Sequence, residues 1–449
     1  MLYERWRKVA AEQRGQPALR DAASGRHWTF GELFAAGDAR SISPDATVFI
    51  RGHSPEFILD LLAAWRENKM VCPLEPGQES PRVLEGQKLW SARTRPRLQS
   101  GDMSPQSKNQ IRRISDLPPT IVLLKCTSAT TGAARVIAFT AEQLAADAEN
   151  IVATMGLRPD WPNLGVISLA HSYGFSNLVL PLLLHGIPLI LAPSPLPEIV
   201  RRAMEKETAV TLAAVPAMWR AWHEADAITS NVRLAISAGA PLPLALEQEV
   251  FQEHGVKIHN FLGSSECGGI AYDASEKPRA AAALAGTPMR NVQLSLNADG
   301  CLAVRSRAVA ETYWPEKSES LGHGIFQTSD LAELKGEQVF LRGRLGDQIN
   351  VAGRKLSPET VERALLAHPQ VRECLVFGAP SREAERTEII VAVVVAEAPE
   401  GELRQFLLQT LPAWQVPRAW QFVESLSANA RGKISRTEWR QRWASNSNL

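Results

Sequence analysis

Short, continuous apolar runs alternate with amphipathic stretches through the middle of this chain, and that alternation leaves few folds open. Val166–Leu169, Pro188–Ala192 and Val210–Val215 are apolar on both faces, as strands buried inside a covered sheet are. Glu198–Lys206, between the last two, has helical character. Ala141–Met155 is a clearer helix: Thr140 and Gln143 have capping-box spacing, and Leu144, Ala148, Ile151 and Met155 form one apolar stripe. Strand and helix in turn imply α/β layering. No repeat at a period of roughly 20–50 residues and no heptad run suggests a solenoid or a coiled coil.

At 449 residues the chain has room for about two or three domains of ~150 residues, enough to bury a core without a disulfide or metal staple. Arg93–Pro119 is polar and rich in Ser, Pro, Arg and Gln, and reads as a connection between an N-terminal subdomain and the next layer. Gly343–Gly346 reads as a linker, after which a smaller unit begins. There Ser357 is placed to cap a helix with Pro358 at its first position, and Val361, Ala364 and Leu365 face inward. Val371–Pro380 and Glu388–Ala396 follow as strands and Glu402–Leu411 as a helix. The expected fold class is α/β. A large multi-layered N-terminal domain would occupy residues 1–343, a hinge 344–346, and a small mobile α+β domain 347–449.

Lys plus Arg is 49 and Asp plus Glu is 48, a formal charge of +1. So flat a balance argues against a nucleic-acid groove or an anionic membrane surface as the main partner. Asn177–Pro195, the most apolar long stretch, is interrupted by Pro181, His185, Gly186 and Pro188, so no membrane span is expected. The N-terminal MLYERWRKVAAEQRG lacks the apolar run of a signal peptide. Cys72, Cys126, Cys267, Cys301 and Cys374 are odd in number and lie without CxxC or CxxH spacing. They read as reduced thiols in a cytoplasmic protein rather than as a disulfide framework or a zinc site.

The most informative stretch is Thr127-Ser128-Ala129-Thr130-Thr131-Gly132, directly after the apolar run Thr120–Leu124. Four hydroxyl side chains and a glycine can wrap phosphate oxygens with O–H and backbone N–H donors. The GxxxxGK[ST] pattern is absent, which removes the P-loop NTPases. Other short motifs follow in order. His53–Phe57 reads HSPEF, Val71–Leu74 VCPL, Leu169–His171 LAH with Tyr173-Gly174 beyond it, and Ser237–Leu242 SAGAPL. Gly263–Glu266 then reads GSSE, Thr328–Asp330 TSD, Gly343-Arg344 precedes Asp347–Ile349 and Gly353, and Gly432–Ile434 reads GKI. Together they resemble the adenylate-forming, AMP-binding superfamily, and within it the acyl- and aryl-CoA synthetases, over nearly the whole chain.

That resemblance implies a two-step reaction: a carboxylate attacks the α-phosphorus of ATP, and a thiol then displaces AMP from the acyl-adenylate. It assigns Thr127, Ser128, Thr130, Thr131 and Gly132 to the phosphates, Ser265 to the α-phosphate and Glu266 to Mg²⁺. Gly239, Ala240 and Pro241 would line adenine, with Leu262 and Gly263 beside it. Asp330 and Arg344 would reach the ribose, and His171 would border the acid pocket. Lys433 would bridge the attacking carboxylate and the α-phosphate. Gly353 would leave room for the pantetheine arm of coenzyme A, or of a carrier protein, once the small domain pivots about Leu345–Gly346. The implied ligands are ATP, Mg²⁺, a small carboxylic acid and the thiol, in a monomer or homodimer.

The chain departs from the family pattern at Ala129, where glycine is usual, at Arg135 in place of lysine, at Leu262 in place of an adenine-stacking tyrosine, and at Gly346. Either nucleotide affinity is lowered by that loss or Phe261 substitutes for the missing aromatic ring. His171–Ser176 contains no carboxylate to pair with an α-ammonium, which argues against an amino-acid substrate. Ala213, Ala214, Val215 and Trp219 offer apolar wall for an aryl or hydrocarbon tail, though core packing would use the same residues. The leading expectation is an AMP-forming acyl- or aryl-CoA ligase. A carrier-protein ligase and a catalytically weak nucleotide-binding regulatory protein are the alternatives.

Overall fold

Six parallel strands form the spine of the larger domain in the computed structural model, which describes residues 1–81, 117–126, 136–381, 388–426 and 435–446. Ile258–Ser264, Val232–Ser237, Val210–Ala214, Asn163–Gly165, Leu189–Leu191 and Pro17–Asp21 lie side by side in that order. Val210–Ala214 is buried at every position, as a strand covered on both faces must be. Beyond Ile258–Ser264 the same sheet turns antiparallel, through Gly268–Tyr272, Leu284–Pro288, Gln338–Arg344, Ile325–Lys335, Cys301–Arg305 and Gln293–Leu296. A second sheet runs Thr312–Trp314, Val136–Thr140, Ile121–Cys126, Met70–Leu74 and Thr47–Arg51.

The Ala141–Met155 helix touches strands of both sheets. Its capping box forms in full: Gln143 N donates to Thr140 Oγ1 at 3.3 Å, and Thr140 N donates to Gln143 Oε1 at 2.9 Å. Leu144, Ala148, Ile151 and Met155 are all buried. The apolar run Asn177–Pro195 divides into the end of a widened π-type turn, a Leu180–His185 helix and the short Leu189–Leu191 strand. Among the described residues, no helix is long and apolar enough to cross a membrane.

Val166–Leu169 is not the strand its composition suggests. The strand is Asn163–Gly165, and the chain then bends. Ser168 Oγ accepts from Ala170 N at 3.2 Å, and Gly174 lies so close to Ser168 O that a Cβ there would meet it at 2.0 Å. The apolar residues are buried against neighbouring elements and take no place in the ladder, so hydrophobicity alone misplaced the strand by three residues. The five cysteines are free thiols. Cys72 and Cys126, far apart in sequence, bring their sulfurs to 3.7 Å across neighbouring strands.

The small domain packs a core of its own, with Ile349, Val361, Leu365, Val376, Val394 and Leu407 buried. Its sheet orders Val371–Pro380, Glu388–Ala396 and Ala419–Phe422, with helices Pro358–Leu366 and Glu400–Thr410. Ser357 stands at the cap position, yet its hydroxyl donates to Glu359 Oε2 at 2.5 Å and makes no hydrogen bond to the helix backbone. Arg436 ties this domain together. Its guanidinium reaches Asp347 at 2.9 Å, Glu359 at 2.9 Å and Glu362 at 2.7 Å, and Nε donates to Val376 O at 3.2 Å.

Candidate active site

Three of the parallel strands finish side by side, and the motif residues sit on the turns that follow them. In open α/β sheets that carboxyl edge is where ligands bind, because the diverging loops leave a crevice there. Val232–Ser237 runs into Ala238 and the exposed turn Gly239-Ala240-Pro241. Gly239 has φ +85° and faces Val215, the residue after the neighbouring strand. Ile258–Ser264 runs into Ser265-Glu266. Tyr173 spans the edge, donating to Ala214 O and Ile236 O at 3.4 and 3.3 Å.

Ser265 and Glu266 are held by hydroxyls. Ser172 Oγ, one residue after His171, donates to Ser265 Oγ at 3.0 Å. Tyr313 Oη donates to Glu266 Oε1 at 3.1 Å, Ser264 Oγ donates to Oε2, and Ala310 N holds the Glu266 backbone carbonyl at 2.9 Å. The carboxylate is thus half-buried between neutral donors, which fix its direction without cancelling its charge. That donor set fits a hard divalent cation, which takes carboxylate oxygens.

Below this turn lies a buried charged layer. The Lys125 ammonium, on the strand that leads into residue 127, stands over Phe139 at 4.7 Å and Phe175 at 5.9 Å. Burial pushes its pKa down, opposed by the nearby Asp147 and Glu266 charges. Burial pushes Asp147 up; its oxygens accept from Ser176 Oγ at 2.6 Å and Gly269 N at 3.1 Å. Gly268, with φ +69°, passes so close that a Cβ would lie 1.9 Å from Asp147 Oδ1. Only glycine lets the chain after Glu266 seat on that carboxylate.

His171 Nε2 lies 3.6 Å from Glu75 Oε1, which also accepts from Ser168 Oγ at 2.6 Å. Asp330 and Arg344 meet as a cross-strand pair, Arg344 Nε donating to Asp330 Oδ1 at 2.9 Å. Gly353, with φ +81°, follows Ala352 at φ +51° in the tight turn between Ile349–Val351 and Arg354–Leu356, on the exposed surface of the small domain. Leu262 is half-buried and Gly263 exposed on the last parallel strand. Thr127, Ser128, Thr130, Thr131, Gly132 and Lys433 lie outside the described residues, as do Ala129 and Arg135.

Two expectations change. Phe261 does not replace the missing aromatic ring: it is 6% exposed and packs on Tyr173 at 5.9 Å, on the face of its strand opposite Leu262. Trp219 is not pocket wall; it is fully buried, edge-on to Trp222, with its indole N–H donating to Ile236 O at 3.2 Å. Ala213 and Ala214 are likewise core. Reasoning from local motifs missed Tyr313, Glu75, Lys125 and Asp147. Of these, only Lys125 carried a signal, as a charge inside an apolar strand.

Residues 80–314 match the family described as AMP-binding enzyme, and residues 360–433 match the AMP-binding enzyme C-terminal domain. A feruloyl-CoA synthase of Amycolatopsis sp is 28% identical over 347 residues, covering 72% of this chain and 70% of that one. A 2-succinylbenzoate–CoA ligase of Bacillus cereus (strain Q1) is 26% identical over 332 residues, 70% of this chain and 69% of that one. In structure, the chain resembles the o-succinylbenzoate CoA synthetase of Bacillus subtilis in complex with its acyl-adenylate intermediate. The TM-score is 0.79 at 20% identity, with 97% of each chain covered. A family match over more than half of the residues settles the class: this chain belongs to the AMP-binding enzymes.

Proposed function

We propose that this chain is an ATP-dependent, AMP-forming ligase that converts a small carboxylic acid into its acyl-adenylate and then into its coenzyme A thioester. One observation carries the reading. In a chain of this family, the Gly239–Pro241 and Ser265-Glu266 turns share the carboxyl edge of one parallel sheet, with Glu266 aimed by two hydroxyls.

In the first step a carboxylate oxygen bonds to the α-phosphorus as the bond to pyrophosphate breaks. Both reactants are anions, so positioning and charge compensation supply the catalysis. Thr127, Ser128, Thr130, Thr131 and Gly132 surround the phosphates, Ser265 contacts the α-phosphate, and Lys433 meets the charge that develops between the two reactants. Glu266 would hold Mg²⁺, which would supply neutralisation of phosphate charge. Gly239, Ala240, Pro241, Leu262 and Gly263 accommodate adenine. Asp330, its carboxylate steered by Arg344, accepts from the ribose hydroxyls. In the second step the thiol gives up its proton to solvent, and its sulfur bonds to the acyl carbon as the carbon–oxygen bond to AMP breaks.

His171 borders the acid. The absence of a carboxylate in His171–Ser176 supports a substrate without an α-ammonium. The names of the relatives favour an aromatic acid. The five free thiols and the demand for ATP support a cytoplasmic site of action.

Acid-dependent exchange of labelled pyrophosphate into ATP, run over a panel of aromatic and aliphatic acids with Mg²⁺, tests the first step. Free coenzyme A against a phosphopantetheinylated carrier protein as acceptor tests the second. Exchange with an aromatic acid and thioester formation on free coenzyme A is the expected pair of results. Exchange with no acid in the panel would leave the regulatory reading, and turnover only on the carrier would replace coenzyme A.

The small domain (residues 347–449) turns about Leu345–Gly346 between the two steps, withdrawing Lys433 and bringing Gly353 to the adenylate. Gly346 has open space around it. Limited proteolysis should cut near Gly343–Gly346 at a rate that changes when an acyl-sulfamoyl adenosine analogue is bound; an unchanged pattern would count against the movement.

A further inference from the structure

The C-terminal ends of two neighbouring helices carry a histidine pair that the proposed reaction does not use. His223 lies in the last turn of Pro216–Glu224, and His254 is the last residue of Leu244–His254. Their side chains are only 13% and 11% exposed. Nδ1 of His223 and Nε2 of His254 face each other at 3.2 Å, with the rings nearly perpendicular at 81°. An oxygen of Glu253 completes a set of three ligand atoms within 4.8 Å of one another.

The surroundings favour a cation between the rings. The outer nitrogen of each imidazole faces a carboxylate 3.9 Å away, His223 Nε2 toward Glu249 and His254 Nδ1 toward Asp226. Each carboxylate lies beyond hydrogen-bond range in this structure but on the side from which a carboxylate orients a metal-bound histidine. At 3.2 Å the two inner nitrogens share either a ring proton or, when both present a lone pair, a cation between them. Tetrahedral zinc, with Zn–N bonds of about 2.0–2.1 Å, sets two ligand nitrogens about 3.3 Å apart. Both helices also point their negative C-terminal ends at the site.

The geometry points to a divalent transition-metal site formed by His223, His254 and Glu253, best suited to zinc, with water completing the coordination. Glu253 is exposed, so its side chain can swing inward to bond. The site has a structural consequence for the ligase. The N-terminal ends of the same two helices follow Val215 and the Gly239–Pro241 turn, so a metal at the far ends would clip together the two elements that carry one wall of the adenine edge.

The full-length protein, stripped with a chelator and kept in excess Mg²⁺ to occupy the Glu266 site, is titrated with zinc chloride by calorimetry. One equivalent is expected to bind, raising the melting temperature. Cobalt(II) in its place should show the visible absorption of a tetrahedral nitrogen and oxygen site. The double variant His223→Gln/His254→Gln should lose both the binding and the shift. Glu253→Gln, on the exposed surface, should fold normally and bind zinc about tenfold more weakly. The inference fails if the native chain binds no stoichiometric zinc or if the double variant binds it equally well. It also fails if, where the double variant does not fold, Glu253→Gln binds with unaltered affinity.

Discussion

Glu266→Gln should lower acid-dependent pyrophosphate exchange by two to three decades while the melting temperature stays within about a degree of the native value. The amide keeps the size of the carboxylate and can still accept from Tyr313 or Ser264, so little packing is lost. What disappears is the negative charge. Removing a single transition-state contact in a preorganised site typically costs on the order of 10²–10³ in rate. Tyr313→Phe is the graded companion. It frees one oxygen of Glu266 from its orienting hydroxyl, and if Glu266 holds Mg²⁺ as proposed, losing an outer partner of this kind costs ~10–100-fold. Exchange in Glu266→Gln within threefold of native would remove this residue from the reaction.

The largest effect on stability should come from Glu247, far from the reacting atoms. This carboxylate is fully buried. It accepts from Lys257 Nζ at 2.5 Å and from Arg279 Nε at 2.8 Å, and Lys257 also reaches Asp273 at 2.7 Å. Two cations and two anions therefore balance inside the protein. Glu247→Gln leaves Lys257 to Asp273 and leaves the Arg279 guanidinium only its bonds to the carbonyls of Leu242, Ala282 and Leu284. Breaking such a group by removing one partner costs about 3–5 kcal/mol, which lowers the melting temperature by roughly 4–7 °C in a domain of this size. Calorimetric melting within about 2 °C of native would show that water or local rearrangement compensates.

Acid should probe the same group. Burial alone would raise the Asp273 pKa, but Lys257 and Ser275 bring it below the usual carboxylate value. Its contribution is therefore complete above the unfolded-state pKa of ~3.9 and lost as pH falls through the lower folded value.

Much of the architecture was legible because its determinants are local. The Ala141–Met155 helix is written in a capping pair and one apolar stripe, and the chain forms it with both bounds as expected. Val371–Pro380 and Glu388–Ala396 are likewise continuous β-branched and apolar runs, and they are strands. Val166–Leu169 failed for a reason sequence does not express: burial against neighbouring elements looks the same as burial within a sheet. The contacts around Glu266 were hidden by distance along the chain. Tyr313 lies 47 residues away, and Asp147 approaches Gly269 across 122. Trp219 stayed open because an indole packs equally well into a pocket wall or a core, and its bond to the Ile236 carbonyl decides for the core.

Arg436 sets a rule for building chimeras. It lies three residues beyond Lys433, so the ammonium-bearing residue stays within about 11 Å of it along the chain. At the same time it grips Asp347, immediately past Leu345-Gly346. A splice made before Asp347 transfers both ends of this tether together. One made between Asp347 and Arg436 pairs Arg436 with a foreign partner, and the recombinant should lose this ion pair even when each half folds.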